Sequence, residues 1–175
     1  ELGEVIAIKT LKQELLSEDA SALERFKSEI RLARRISHRN VVRTHDLGEA
    51  SGVYFITMEY VEGTTLKELV RRRGRLPVSA TLTVAKQLCR ALEVAHEQGV
   101  IHRDIKPQNM VVEPNGVLKV MDFGIARLAK RQGGMTQQGM VVGTPEYMAP
   151  EQLMGQEIDA RADIYSAGCV IYECL

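Results

Sequence analysis

Neither sign of charge is in excess in this chain: Lys+Arg and Asp+Glu each number 23 among its 175 residues. That balance gives no support to a nucleic-acid or anionic-membrane partner, which would call for a strongly basic field. No apolar run approaches the roughly eighteen residues that a bilayer-spanning helix needs, and no signal peptide is visible. Cysteine is scarce: Cys89, Cys169 and Cys174 lack metal-ligand spacing and fall in apolar helical patterns, so they read as reduced core thiols of a cytoplasmic protein. His38, His45 and His96 have no partners at metal spacing either, and His96 reads as a helix-end or packing residue. What is present is 45% hydrophobic and 26% charged, an ordinary globular composition with length for one domain and a sizeable core. The chain opens on Glu1 rather than Met and stops inside an apolar helical pattern at Leu175, which reads as an excerpt of a longer protein.

The chemistry concentrates between Ile101 and Gly124, in IHRDIKPQNMVVEPNGVLKVMDFG. Two short apolar runs, NMVVE and VLKVM, flank Pro114-Asn115-Gly116, and Asn-Gly between such runs is the strongest short-range hairpin signal. A hairpin folds its ends together, so the loop holding Asp104, Lys106 and Asn109 is expected to meet the loop holding Asp122. Two acids, an amide and a lysine gathered at one point suit phosphoryl transfer. Asp122 and Asn109 supply oxygens to Mg²⁺, a hard cation held by carboxylates and substrate phosphates, and Asp104 is left to accept a hydroxyl proton.

His102-Arg103-Asp104 with Asn109, followed by Asp122-Phe123-Gly124, resembles the catalytic and metal loops of protein kinases. The resemblance covers essentially the whole chain. Ile6-Ala7-Ile8-Lys9 resembles the strand whose lysine holds the α- and β-phosphates, with Ile6 where the pattern usually has Val. A helix follows, started by a Ser21-x-x-Glu24 capping box or by Ser17 or Asp19. Its Leu23, Phe26, Ile30, Ala33 and Ile36 recur at core spacing, and Glu29 beside them resembles the glutamate that pairs with Lys9. Val41–Leu47 and Val53–Met58 read as strands around Ser51-Gly52. Residues 59–63 then resemble the hinge between two lobes, where the Glu59 carbonyl and the Val61 amide and carbonyl would bond adenine, with Met58 behind them.

Helices are expected from Thr64 to Arg73 and from Pro77 to near Gly99, the second burying Leu82, Ala85, Leu88, Leu92 and Ala95. The Arg71-Arg72-Arg73 run suits a helix C-terminus, favoured there by the macrodipole. Lys106, two places after Asp104, is the mark of serine/threonine rather than tyrosine kinases. The segment 143–151, GTPEYMAPE, resembles the substrate-side loop, in which Thr144 would bond Asp104 and Lys106. Asp163, in DIYSAG, resembles the aspartate that holds the catalytic-loop backbone.

The resemblance implies an α+β, two-lobed protein-kinase-like fold in partial form. Residues 1–58 would belong to an antiparallel-sheet N-lobe lacking its first two strands, 59–63 to the hinge, and 64–175 to a helical C-lobe lacking its last helices. It implies ATP- and Mg²⁺-dependent phosphorylation of Ser and Thr hydroxyls on proteins, with Mn²⁺ a possible substitute, and the 175 residues taken alone are expected to be unstable and inactive. The implied catalytic residues are Lys9, Glu29, Asp104 and Lys106, and the nucleotide would meet Ala7, Lys9, Glu59, Val61, Asn109, Val111 and Asp122, with Asn109 and Asp122 on the metal. Thr136, in a glycine-containing loop, is the expected regulatory phosphorylation site with Arg103 as its partner, reached by self-association for autophosphorylation. The domain is expected in the cytoplasm, including in a parent anchored to a membrane. A pseudokinase scaffold is the alternative, which loss of Lys9, Asp104 or Asp122 would have favoured; all three are present.

Overall fold

A computed structural model of the chain describes residues 3, 5–10, 20–123 and 145–175, and within them leaves out the side chains of residues 20–23 and 25. Two three-stranded antiparallel sheets organise it. The first has strand order β1-β3-β2, from β1 (Ile6–Thr10), β2 (Thr44–Ala50) and β3 (Val53–Glu59). β2 and β3 are joined at Ser51-Gly52, where φ values of 51° and 76° match the primed turns that suit strand twist. α1 (Ala20–Ala33) covers this sheet, and Phe26 and Ile30 pack with Val42, Ile56 and Met58. Alternation on β1 leaves Ile6 and Ile8 exposed and turns Ala7 and Lys9 toward the interior. The strand expected from Val41 starts later, at Thr44, because Val41 and Val42 are engaged elsewhere.

The second sheet, β4-β5-β6, is small: β4 (Thr64–Thr65), β5 (Met110–Val112) and β6 (Leu118–Val120). β5 and β6 form the expected hairpin, closed by the Glu113 amide on the Val117 carbonyl at 2.9 Å, with Gly116 at φ 83°. Thr65 then caps α2 (Leu66–Arg73) by a reciprocal box with Glu68. α3 (Val78–Glu97) packs on the last long helix, α5 (Ala160–Cys174), which is preceded by the single turn α4 (Pro150–Leu153). The main core runs through Leu66, Leu88, Leu92, Ile105, Met110, Leu118 and Val170. The two sheets meet at Val41, which forms a parallel bridge to Val120, while the Val42 amide donates to the Val120 carbonyl (2.8 Å) and the Val120 amide to the Asn40 carbonyl (2.9 Å).

Three expectations need correction. The buried face of α3 is Thr81, Val84, Leu88, Ala91, Leu92 and Ala95, while Leu82 is 54% exposed and Ala85 only partly buried. At about 100° per residue, Leu82 lies some 240° from Leu88, whereas Thr81 and Val84 fall within about 40° of it. Only Cys174 is a core thiol: Cys89 is exposed and Cys169 half-buried. Glu59, assigned to the hinge, is the last residue of β3 and pairs with Ile6. Ser17, Asp19, Gly124, Thr136 and Thr144 lie outside the described residues, as does the side chain of Ser21. Among the described residues no helix is long and apolar enough to cross a membrane.

Candidate active site

Asp163 lies at the centre of the site. The N-terminal turn of α5 buries it completely, and its two oxygens accept three bonds: the His102 amide and His96 Nε2 on Oδ2, and the Arg103 amide on Oδ1, all at 2.8 Å. Burial opposes its ionisation, but the His96 imidazole and the two backbone amides outweigh it and hold the carboxyl below the usual range. These bonds fix a backbone that is otherwise costly, since Arg103 sits at φ 67°.

His102 is buried and joins the two loops. Its Nδ1 accepts the Asp104 amide (3.2 Å), so Nε2 carries the proton and donates to the Met121 carbonyl (2.9 Å). Its ring meets Phe123 edge-on at 4.6 Å between centroids. The Met121 amide donates to the Asn109 carbonyl (3.0 Å). The hairpin thus does what its turn signal implied, bringing Asp122 alongside the loop of Asp104 and Asn109. Asn109 Nδ2 donates to both the carbonyl and Oδ2 of Asp104 (2.9 and 3.0 Å), and Lys106 Nζ lies 2.7 Å from the same Oδ2.

Asp122 also has positive φ, 70°. Its Oδ2 accepts Lys9 Nζ at 2.7 Å, while Oδ1 is buried without a hydrogen-bond partner among the described residues. An orphaned buried carboxylate oxygen suits a hard cation. The Asn109 side-chain nitrogen is committed to Asp104, which leaves its oxygen as the remaining acceptor of that amide. The expected Lys9–Glu29 pair is not formed: Lys9 is bonded to Asp122, and Glu29 Oε1 lies 3.8 Å from Arg103 Nη1. Asp122 and Glu29 are both half-buried, and in this arrangement the ammonium lies on Asp122 and the Arg103 guanidinium beside Glu29.

Above the loops, Ala7, Val61 and Met121 pack against the cluster containing Met58 and form an apolar patch beside the Glu59–Gly63 connection. Glu59 is anchored there by its side chain, which accepts Lys119 Nζ and the Arg43 amide. Val111 pairs with both Thr65 and Lys119 below. Two contributors escaped the sequence reading. His96, set aside as a helix-end residue, orients Asp163; its position opposite DIYSAG emerges only once α3 packs on α5. Gln152 donates from Nε2 to the Arg103 carbonyl (2.9 Å) and accepts the Ala149 amide on Oε1 (3.0 Å).

A small sheet lobe meeting a helical lobe at the cluster of Asp104, Lys106, Asn109 and Asp122 is the arrangement that this geometry defines. The family model described as "Protein kinase domain" matches residues 1–175, and the chain belongs to that family. Serine/threonine-protein kinase PknB of Mycobacterium leprae is 40% identical over 174 residues, covering 97% of this chain and 28% of its own length. The probable serine/threonine-protein kinase SCO3848 of Streptomyces coelicolor is 43% identical over 179 residues, with 99% and 26% covered. The crystal structure of the Mycobacterium tuberculosis PknI kinase domain superposes with a TM-score of 0.75 at 30% identity, covering 95% of this chain and 61% of that one. The chain therefore spans little more than a quarter of the curated relatives it matches.

Proposed function

We propose that this chain is catalytic core of a protein serine/threonine kinase that uses ATP and Mg²⁺. The observation that carries the reading is the joined cluster of Asp104, Lys106 and Asn109 beside a half-buried Asp122 whose buried Oδ1 has no hydrogen-bond partner among the described residues. The Asp104 carboxylate accepts the proton of the protein hydroxyl as the hydroxyl oxygen forms its bond to the γ-phosphorus. The bond from the γ-phosphorus to the β,γ-bridging oxygen breaks, and ADP leaves with the electron pair. Asn109 Nδ2 fixes the orientation of Asp104, and Lys106 offsets charge on the transferring group. The adenine would lie on the patch of Ala7, Met58, Val61 and Met121 and over Val111, bonding the backbone at Glu59 and Val61. Mg²⁺, or Mn²⁺ on the same donors, would be held by Asp122 and Asn109 and would neutralise phosphate charge.

Lys9 serves the α- and β-phosphates once it exchanges Asp122 for Glu29. A phosphate at Thr136 would attract Arg103, order the loop and draw Glu29 toward Lys9. Autophosphorylation between two copies is the simplest source of that phosphate. The partners are proteins with accessible Ser or Thr, and the working location is the cytoplasm.

The test uses the full-length kinase. Asp122→Asn is expected to abolish ATP-dependent phosphorylation and Lys9→Met to cripple it, with phosphoserine and phosphothreonine as products. Mainly phosphotyrosine, or an active Asp122→Asn variant, refutes the assignment.

A further inference from the structure

Arg103 and Asp104 share one peptide unit, and both ends of that unit are held by side chains distant in sequence. Its N–H donates to His102 Nδ1 at 3.2 Å, and its carbonyl accepts Gln152 Nε2 at 2.9 Å. The preceding amide, that of Arg103, is held by Asp163 at 2.8 Å. Rotation of the Arg103–Asp104 unit would swing the Asp104 carboxylate, because the positive φ of Arg103 places the chain in a conformation with close alternatives.

The other end of Gln152 is also committed. Oε1 accepts the Ala149 amide at 3.0 Å, just before the single turn α4. With Oε1 accepting an N–H, the amide can present only N–H to the Arg103 carbonyl, so its orientation is settled by its two partners. The Ala149 end is itself anchored two residues earlier, where Ser166 Oγ of α5 donates to the Tyr147 carbonyl at 2.6 Å. One glutamine side chain therefore ties the segment 145–149 to the peptide that carries Asp104.

We infer that Gln152 is a positioning residue: acting through the Arg103 carbonyl, it sets the orientation of Asp104 and couples it to the 145–149 segment. The inference rests on the reading of Asp104 as the proton acceptor. It predicts a defect in kcat with little change in nucleotide affinity, since Gln152 touches none of the residues assigned to ATP.

Two substitutions separate positioning from simple support. Gln152→Glu keeps an oxygen for the Ala149 amide, and its charge lies favourably at a helix start, but at neutral pH it cannot donate to the Arg103 carbonyl. Gln152→Met loses both bonds. In the full-length kinase, Gln152→Glu is expected to lower kcat about tenfold, equivalent to about 1.4 kcal/mol, and to leave KM for ATP within about twofold and the melting temperature unchanged. Gln152→Met should lose similar activity and also melt lower.

Asp104→Asn is measured alongside. If it is inactive while Gln152→Glu turns over normally, the positioning role is wrong and the proton-acceptor reading stands. If Asp104→Asn remains active, the proton-acceptor reading fails and the inference fails with it. A Gln152→Glu variant that loses activity only in step with its melting temperature, or that raises KM for ATP at unchanged kcat, also overturns the inference.

Discussion

Replacing Asp163 by Asn changes one atom's chemistry in a fully buried site. The carboxylate accepts on both oxygens, from the His102 amide and His96 on one and the Arg103 amide on the other. Asparagine keeps one acceptor, and its NH₂ must face an N–H on the other side. At least one charge-assisted bond, worth about 1.5–3 kcal/mol, is lost and a buried donor is left unsatisfied. A total near 3 kcal/mol corresponds to about 6–12 °C of melting temperature at about 2–4 °C per kcal/mol for a domain of this size class. Asp163→Ala, which orphans all three donors, should cost more, about 3–5 kcal/mol. The pH dependence has a fixed sign. The carboxyl is held below its unfolded value, so its contribution is full above about pH 4, the unfolded value, and fades as pH falls through the lower folded value. Thermal melts of the full-length kinase and its variants from neutral pH to pH 3 would measure this, with hydrogen exchange at the His102 and Arg103 amides as the local probe. An Asp163→Asn variant that melts within about 2 °C of the parent and keeps both amides protected would refute the central place given to Asp163.

Other perturbations test separate parts of the structure. A Cβ on Gly63 would stand 2.5 Å from the Val112 carbonyl oxygen and 2.8 Å from Val111 Cγ1, so Gly63→Ala should cost about 1–3 kcal/mol and raise KM for ATP, read by melting and steady-state kinetics. Thr136→Ala should reduce activity after incubation with ATP, and mass spectrometry should find phosphate at Thr136 in the parent only. Alkylation followed by peptide mapping should label exposed Cys89 well before Cys174, whose thiol burial pushes up to about 11.

Much of this arrangement was legible because it is encoded locally. Pro114-Asn115-Gly116 signals a turn locally, and the hairpin that it closes brings Asp122 toward the loop of Asp104. The alternation in Ile6–Lys9 likewise separates outward isoleucines from an inward lysine. What escaped depends on distances between elements. Lys9 lies on Asp122 rather than Glu29, a pairing that depends on how separate elements pack and that residue order does not record. Leu82 is apolar and suggests the core, but the 3.6-residue period points instead to Thr81, a polar residue that is nonetheless buried. His96 and Gln152 carry no motif; His96 acquires its role from the Asp163 carboxylate it meets where α3 packs on α5, and Gln152 from the Arg103 carbonyl and the Ala149 amide.

The bridge between Val41 and Val120 bears on where the chain can change length. Backbone bonds on either side of Val120 clamp β6 to residues 40 and 42, so the strand that delivers Asp122 is in register with the segment leaving α1. One residue inserted between Ile36 and Asn40 can be absorbed upstream of the clamp, but one inserted between Val120 and Asp122 would displace the acid itself. The turn at 113–117 lies on the far side of β6 from Asp122, so its tip can lengthen without moving that acid. Across relatives, insertions and deletions should therefore collect at that turn and be missing from residues 118–122.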